Sequence, residues 1–230
     1  MSDYSLSYLG CLTQLSQAAS KSSRCVLRLL DTVFIDENLK LSWYFTTGQS
    51  LSVAKKKESN TTPTTVLDRF EKFALANPRN ILKHVAVLVH PDGQRELLKQ
   101  SSLRELLNSN LDSIAGRDGC YLQVYQRPHD DFMDKVISQE FHIDHVTSEI
   151  NSTYYIKFVS GKRYGDREQV DVNGLQSTVT RDITDFSNEI CKFMLNNAQS
   201  EVQSMSLDYI VDESNHAWVI NVPEIVMVHI

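Results

Sequence analysis

The pattern of apolar and polar positions predicts short helices and β-hairpins along the N-terminal part of the chain. From Tyr4 to about Ala19, leucines recur at every third position among serines, which is typical of an amphipathic helix. Thr32–Ile35 and Leu39–Phe45 are rich in aromatic and β-branched residues and enclose the acidic turn Asp36-Glu37-Asn38. These two runs predict a hairpin.

The segment 46–63 is polar and rich in turn-forming residues, so it predicts a loop or linker. A helix is expected next, with a capping box formed by Thr65 and Asp68 and an end at Asn77-Pro78. The apolar run His84–His90 predicts a buried strand. Ser102 and Glu105 fit a second capping box, which predicts a short helix.

The second half of the chain follows the same alternation of helices and strands. Cys120–Gln126 alternates apolar and polar residues, as a strand with one solvated face does, and Tyr154–Val159 predicts another strand. Apolar residues share one face of a helix predicted from Asp182 to Asn197, with Asp182 as N-cap. Leu207–Val222 predicts a hairpin, and the apolar run 225–230 predicts a buried final strand or an exposed edge.

These elements predict an α+β fold, mainly an antiparallel sheet built from hairpins with about four helices. We expect an N-terminal helix and hairpin in residues 1–50 and a main α+β domain in residues 64–230, separated by the loop or linker at 46–63. A single domain of 230 residues is an equally open alternative.

Composition and charge exclude several classes of protein. The net charge of -6 provides no basic excess for phosphates along a duplex, so general nucleic-acid binding is not expected. The four cysteines contain no CxxC pair, which favours free thiols in a reducing compartment. Neither a secretion signal nor eighteen consecutive apolar residues occur. We therefore expect a cytoplasmic protein, with the nucleus as the alternative, and no membrane insertion.

The C-terminal hairpin carries the most specific residue pattern in the chain. Asp208 precedes an acidic turn at Asp212-Glu213, and Trp218, Asn221 and Pro223 follow the turn. The simplest interpretation is a surface hairpin in which the apolar residues pack and the acids form the turn.

From Tyr121 onward, the order of strand, helix and acidic-turn hairpin resembles the ATP-grasp superfamily, particularly its tubulin tyrosine ligase branch. The resemblance implies a nucleotide-binding element in which a glutamate and an asparagine of the hairpin hold magnesium. Here Asn221 occupies the position of that glutamate and Pro223 that of the asparagine. An amide and a proline cannot replace a carboxylate as magnesium ligands, so the resemblance implies a degenerate relative. Asp208 and Asn221 are its candidate cofactor-binding residues. The sequence has no secure counterparts of the basic residues that bind the phosphates in this superfamily. The nearest basic residues are Lys157, Lys162, Arg163 and Arg167.

Two other clusters offer weaker chemistry. His129, His142 and His145, with neighbouring aspartates, are candidate metal ligands, but they lack the spacing of a helical zinc site, and solvated loop residues are the alternative. The run Lys162–Arg167 predicts an anion site or a charged hairpin tip.

The sequence contains no motif for a nucleophile or a phosphate-binding loop. We therefore expect a non-catalytic protein-interaction or scaffold module with a protein partner, in which exposed aromatics such as Tyr44, Tyr154 or Tyr164 act as anchors. No catalytic residue, metal or cofactor is assigned. The alternative is a degenerate ATP-grasp-like protein that binds ATP and magnesium, or, less favoured, an active ATP-dependent ligase.

Overall fold

The computed structural model describes residues 3–17, 24–48, 50–117, 119–144 and 149–229. Within these ranges the chain forms four α-helices and two six-stranded antiparallel sheets, which confirms the α+β class. The strands are β1 (Asp3–Leu6), β2 (Thr32–Ile35), β3 (Leu41–Thr46), β4 (Val53–Lys55), β5 (His84–Val89), β6 (Arg95–Lys99), β7 (Tyr121–Val124), β8 (Lys135–Asp144), β9 (Glu149–Phe158), β10 (Arg167–Val170), β11 (Ser200–Val211) and β12 (Ala217–His229). The helices are α1 (Tyr8–Leu15), α2 (Pro63–Leu75), α3 (Gln100–Ser109) and α4 (Ser177–Ala198).

The chain forms two compact units, and neither is continuous in sequence. Unit 1 comprises Met1–Leu29, Thr46–Ala54 and Pro128–Ile230, and unit 2 comprises Leu30–Phe45 and Lys55–Arg127. Two of the passages between the units lie in or beside the segment 46–63. The division into residues 1–50 and 64–230 stays a prediction.

The sheet of unit 1 has the strand order β1-β12-β11-β8-β9-β10. One face is covered by α4, because Ser187 of α4 and Tyr209 of β11 both donate hydrogen bonds to the buried Gln139 of β8. Met205 and Leu207 of β11 are buried together with Tyr209. Since side chains alternate along a strand, the residues between them point to the opposite face.

The first residues of unit 1 differ from the helix predicted between Tyr4 and Ala19. Residues 3–6 form β1, which pairs with the end of β12, and α1 starts only at Tyr8 with Ser7 as N-cap. The leucine spacing fits a helix, but residues 3–6 form an edge strand instead, because they pair with β12. Ala19 lies outside the described residues. The apolar run from Ile225 forms the buried strand of the two alternatives, because β12 pairs with both β1 and β11.

The second sheet has the strand order β4-β3-β2-β7-β5-β6, and its strands β2, β7, β5 and β6 belong wholly to unit 2. The predicted hairpin is confirmed, with Ile35 opposite Leu41 around the turn at Asp36. The segment 46–63 is not a continuous loop, since it includes β4 and a short 3-10 helix at Glu58–Asn60. The strand around Gln123 has no solvated face, because β7 lies between two strands and all four of its residues are buried.

Both predicted capping boxes are wrong. Helix α2 begins one turn earlier than expected, with Thr62 as N-cap, Pro63 in its first turn and reciprocal hydrogen bonds between Thr62 and Thr65. Helix α3 begins at Gln100 directly after β6, and its N-cap Lys99 makes no side-chain cap hydrogen bond. In both helices the chain starts to wind before the predicted cap, which therefore lies inside the first turn.

Candidate functional site

A row of polar residues crosses the face of the unit 1 sheet that points away from α4. Asp208 of β11 lies opposite Ser138 of β8 and opposite Asn221 of β12. Irregularities of the β11–β12 ladder on both sides of Asp208 set this register. We call the polar face the surface formed by Ser138, Glu140 and His142 of β8 and by Ser204, Ser206 and Asp208 of β11.

The carboxylate of Asp208 is buried and only partly satisfied. The residue is 4% exposed, and its Oδ2 atom accepts a hydrogen bond from Asn221 Nδ2 at 3.3 Å. Lys157 Nζ lies 3.5 Å from the same oxygen. Oδ1 is buried and has no hydrogen-bond partner among the described residues. One oxygen thus carries the internal contacts, and the other remains an unused acceptor.

Lys157 is the basic side chain that the fold brings to Asp208. It extends from β9, two strands away from β11, with its side chain 41% exposed. The other candidates for phosphate binding have different contacts. Arg163 pairs with Asp166 and Glu168 at the β9–β10 connection, and Arg167 pairs with Glu140 and lies over the Tyr155 ring. The run 162–167 is therefore a charged hairpin tip in which these arginines pair with nearby acids.

The residues around Asp208 do not fit a magnesium ion. Magnesium bound to phosphates takes hard oxygen ligands, with at least one or two carboxylates. Here a single carboxylate faces an ammonium group, and Asn221 contributes an amide that already donates to Asp208. The positive charge of Lys157 offsets the negative charge that would attract a cation.

The acidic turn of the hairpin has a structural role. Asp212 Oδ1 accepts hydrogen bonds from the backbone N–H groups of Ser214 and His216, and Oδ2 accepts one from Trp218 Nε1 at 2.8 Å. Asn215 takes the left-handed conformation that such a turn requires. Asp212 and Trp218, which match the resemblance, are therefore explained by the turn itself.

A groove on the polar face continues away from Asp208. It has a volume of about 400 Å³, and its lining includes Glu140, His142, Ser204, Ser206 and Glu224. Glu224 accepts a hydrogen bond from Ser5 of β1, and Glu140 accepts one from Arg167. The groove presents hydroxyl, imidazole and carboxylate groups on one surface, so it suits a polar ligand.

A second buried acid, Asp182, was not predicted in its actual position. It lies inside α4, five residues after the helix begins, and not at its N-cap. Its Oδ2 atom accepts hydrogen bonds from Arg28 Nη1 at 2.7 Å and from the backbone N–H of Ala217 at 3.2 Å, and lies 3.2 Å from His216 Nδ1. The one signal in the sequence is an acid next to Ile183 on the apolar face of a helix.

The histidine cluster is spread over separate elements. His129 Nδ1 accepts a hydrogen bond from the backbone N–H of Asp131, while His142 lies on β8 opposite Asn151. His145 lies outside the described residues. Within the described ranges no three His, Cys, Asp or Glu side chains form a group that could hold a metal ion.

The predicted aromatic anchors differ in exposure. Tyr44 is 1% exposed and packs edge-on against Phe34, so it is a core residue and cannot act as an anchor. Tyr154 is half-buried. Tyr164 at the β9–β10 connection is 47% exposed. The strand pattern predicts the hairpin correctly but does not show that Tyr44 points into the core.

Comparison with known proteins returns weak structural likeness. No protein-family description matches the sequence, and no curated protein does. Among solved structures, the D-alanine-D-alanine ligase from Coxiella burnetii is 9% identical, with a TM-score of 0.47 over 86% of this chain and 43% of that chain. The D-alanyl-alanine synthetase A from Vibrio cholerae is 6% identical, with a TM-score of 0.45 over 86% and 50%. A RiPP-associated ATP-grasp ligase from Chryseobacterium gregarium, in complex with ADP and a leader and core peptide, is 14% identical, with a TM-score of 0.35 over 69% of this chain and 53% of that chain.

These structures are ATP-grasp ligases, the superfamily that the hairpin pattern resembles. The chain spans about half of the length of each of them. Since each TM-score is below 0.5, the likeness supports no argument about activity.

No helix in the described part of the chain is both long and apolar enough to cross a membrane.

Proposed function

We propose that the protein is a non-catalytic interaction module that binds a protein partner through the polar face of unit 1. The observation that carries the proposal is the Oδ1 atom of Asp208, which is buried there without a hydrogen-bond partner among the described residues. An unsatisfied buried polar atom costs about 1–3 kcal/mol. Oδ1 is closed to solvent, so a partner's amide, ammonium or guanidinium group that donates to it removes this cost only when neighbouring side chains of the polar face move aside on binding.

The charges on the face argue against phosphoryl or acyl-phosphate chemistry. Such reactions depend on metal ions held by anionic oxygens close to the transferred phosphate. Lys157 offsets the charge of Asp208, and Asn221 and Pro223 add no carboxylate. The residues bind and orient a ligand, but they do not assemble a metal-dependent transfer site.

The chemistry of the groove favours a protein partner. Glu140 and His142 are exposed, and Ser204 and Ser206 are partly exposed, so hydrogen-bond donors and acceptors are interspersed along two adjacent strands. Polar side chains of this kind are typical of the rim of a protein interface. Asp208, which lies on the same face beyond the groove, adds a buried acceptor.

Site-specific photo-crosslinking tests where the partner binds. A photoreactive amino acid at Ser204 on the polar face is expected to crosslink a partner, whereas one at Thr184 on the exposed side of α4 is the matched control. The partner identified in the crosslinked product is then purified on its own, and its affinity for the wild-type chain is measured by calorimetry. Asp208→Asn, which removes the charge and one acceptor, is expected to weaken binding about tenfold, which corresponds to about 1.4 kcal/mol. Equal crosslinking at both positions, or unchanged affinity of D208N, argues against the proposal.

The alternative proposal is a nucleotide-binding, ATP-grasp-like protein that does not turn over ATP. It is favoured by the position of Lys157, whose ammonium group lies on the same face as Asp208, since lysine is a common phosphate ligand. A thermal-shift scan with ATP, with and without magnesium, tests it. Saturation at about 100 times the dissociation constant adds about 2.7 kcal/mol of stability.

Lys157→Gln is the matched control for the nucleotide scan. If ATP binds beside Asp208, this variant loses the shift while the wild type retains it. No shift of the wild type at millimolar ATP eliminates the alternative. Release of ADP above the rate of a buffer blank contradicts a non-catalytic role, and the D208N variant then tests whether the polar face is responsible.

A further inference from the structure

Two consecutive large apolar side chains protrude from unit 2. Ile81 and Leu82, in the loop between α2 and β5, are 83% and 63% exposed. Scattered single apolar residues on a surface are ordinary, whereas contiguous exposed apolar groups mark binding sites. Leu75, in the last turn of α2, is also 46% exposed.

The exposure of this pair is built into an ordered loop. Asn80, immediately before it, is only 8% exposed. Its Nδ2 atom donates to the carbonyl oxygens of Ala74 and His84 at 3.1 and 2.7 Å, and its Oδ1 atom accepts from the backbone N–H of His84 at 3.2 Å. One buried amide thus joins the end of α2 to the start of β5, and Ile81 and Leu82, two of the three residues between Asn80 and His84, are held outward.

The surroundings of the pair are basic although the whole chain is acidic. The sequence from Lys72 to Pro91 contains no aspartate or glutamate and includes Lys83, directly after Leu82. Strand pairing adds Lys99, which lies opposite His84. Within the described ranges neither of these two lysines forms an ion pair with a carboxylate. We call the group Ile81, Leu82, Lys83 and Lys99 the basic-apolar tip.

We propose that the basic-apolar tip binds an anionic lipid surface, an interaction beyond the proposed function of unit 1. Lysines are attracted to anionic headgroups, and apolar side chains enter the boundary between headgroups and acyl chains. The side chain of Ile81, which is 83% exposed, protrudes from the surface of the protein. A bilayer interface adapts to such a protrusion, whereas a protein partner has to offer a preformed pocket.

Co-sedimentation of the whole chain with vesicles tests the proposal. Binding is expected to vesicles of phosphatidylcholine containing about 30% phosphatidylserine, and not to pure phosphatidylcholine. Binding should decrease with added salt, because electrostatic attraction to the surface is screened. Absence of binding to the anionic vesicles overturns the proposal.

Three variants test whether the tip is responsible. The double variant Ile81→Ser/Leu82→Ser is expected to lose binding at least about tenfold, because the apolar side chains no longer bury surface. Lys83→Gln should weaken binding about threefold to fivefold through loss of one charge. Leu39→Ser is the control, since Leu39 is an apolar residue of unit 2 that is 47% exposed and lies in the acidic turn after Asp36. Equal loss in L39S and in the double variant overturns the assignment to the tip.

A direct readout of insertion comes from Leu82→Trp. On addition of anionic vesicles its emission should shift to the blue and be quenched by lipids brominated along the acyl chain, above the background of Trp43 and Trp218. A copolymer of glutamate and tyrosine serves as the probe for an acidic protein partner. Binding of the chain to this copolymer without binding to vesicles would transfer the site to an acidic protein and overturn the lipid proposal.

Discussion

The carboxylate of Asp182 joins α4 to two other segments of unit 1. Its Oδ2 atom contacts Arg28 before β2, His216 in the hairpin turn and the backbone of Ala217. Its side chain is 6% exposed, whereas the Arg28 side chain is 19% exposed. Removing one partner from a buried pair leaves unpaired polar groups, and this loss is larger than the net gain from a surface ion pair.

We predict that Asp182→Ala lowers the free energy of unfolding by about 3 kcal/mol, because the guanidinium of Arg28 and the N–H of Ala217 lose their acceptor. Urea unfolding followed by circular dichroism measures the change. Asp185→Ala is the matched control, since Asp185 lies on the exposed side of the same helix. Equal effects of the two substitutions would contradict a structural role of the Asp182 contacts.

The buried carboxyl group of Asp31 in unit 2 should make the stability of the protein depend on pH. Burial raises the pKa of its carboxyl above the ordinary value of 3.8, although Arg69, whose Nε donates to it at 2.8 Å, lowers the pKa in part. Between 3.8 and the higher folded pKa, the folded state therefore binds more protons than the unfolded state. The contribution of Asp31 to stability falls as pH rises through this window.

We predict that Asp31→Asn removes this dependence. The unfolding free energy of D31N minus that of the wild type should increase from about pH 4 upward and become constant above the folded pKa. Urea unfolding at steps of pH measures the difference. Arg69→Gln should raise the pKa of Asp31 further and extend the window to higher pH. Parallel pH profiles of D31N and the wild type would rule out the raised pKa.

Residue-level features follow from the sequence only when they are local. Asp208 and Asn221 flank one turn, so hairpin geometry brings them onto adjacent strands, but a regular ladder would pair Asp208 with Ile220, and only the irregularity between Asp208 and Tyr209 places Asn221 opposite it. Lys157 reaches Asp208 only because β8 inserts between β9 and β11, and no local pattern encodes this order. Tyr44 is a second feature that local sequence does not determine. Alternation along a strand identifies two faces, but it does not show that the face of Tyr44 is the buried one.

At the level of elements, the N-terminus of α2 offers a sharp test of capping. Thr62 accepts from the N–H of Thr65, while the hydroxyl of Thr65 accepts from the N–H of Thr62. The box predicted from sequence, Thr65 with Asp68, would place the cap three residues later. The two assignments differ in which substitution affects stability.

We predict that Thr62→Ala destabilises the protein by about 1 kcal/mol through loss of the N-cap acceptor. Thr64→Ala is the matched control, because Thr64 is exposed in the same turn and has no side-chain hydrogen bond in the described structure, so the change should be close to zero. Asp68→Ala should also have little effect. Chemical denaturation measures all three. If D68A is the most destabilising, the later cap is correct.

The sequence predicts an element correctly where the pattern of apolar residues and turns is local. It does not predict a strand that forms only by pairing with a partner strand distant in sequence. The β2–β3 hairpin, β5 and the β11–β12 hairpin follow from apolar runs and turn residues. The segment of β8, Lys135–Asp144, mixes charged and apolar residues and becomes a strand because β9 and β11 pair with it on both sides. Strand β1 likewise depends on β12, more than two hundred residues away.

At the scale of the whole molecule, the thiols report on both compact units. Cys11, Cys25 and Cys191 belong to unit 1 and Cys120 to unit 2, and none forms a disulfide. Burial raises the pKa of Cys11 and of Cys191 to about 12, and also raises the pKa of Cys25 and Cys120. Because the thiolate is the reactive form, the native thiols should react slowly.

We predict that a chromogenic disulfide reagent at about pH 8 labels the native protein slowly and labels four thiols at once in strong denaturant. Unit 1 combines residues from both ends of the chain, and unit 2 is interrupted by residues 46–54 of unit 1, so the chain passes from one unit to the other at four places. We therefore expect one cooperative unfolding transition.

Two variants follow the unfolding of each unit separately. In Cys120→Ser all remaining thiols belong to unit 1, so their labelling follows the unfolding of unit 1, and in a variant that keeps only Cys120 the labelling follows the unfolding of unit 2. Coincident urea midpoints for the two sets agree with this expectation, whereas midpoints that differ by more than their error show that the units unfold independently.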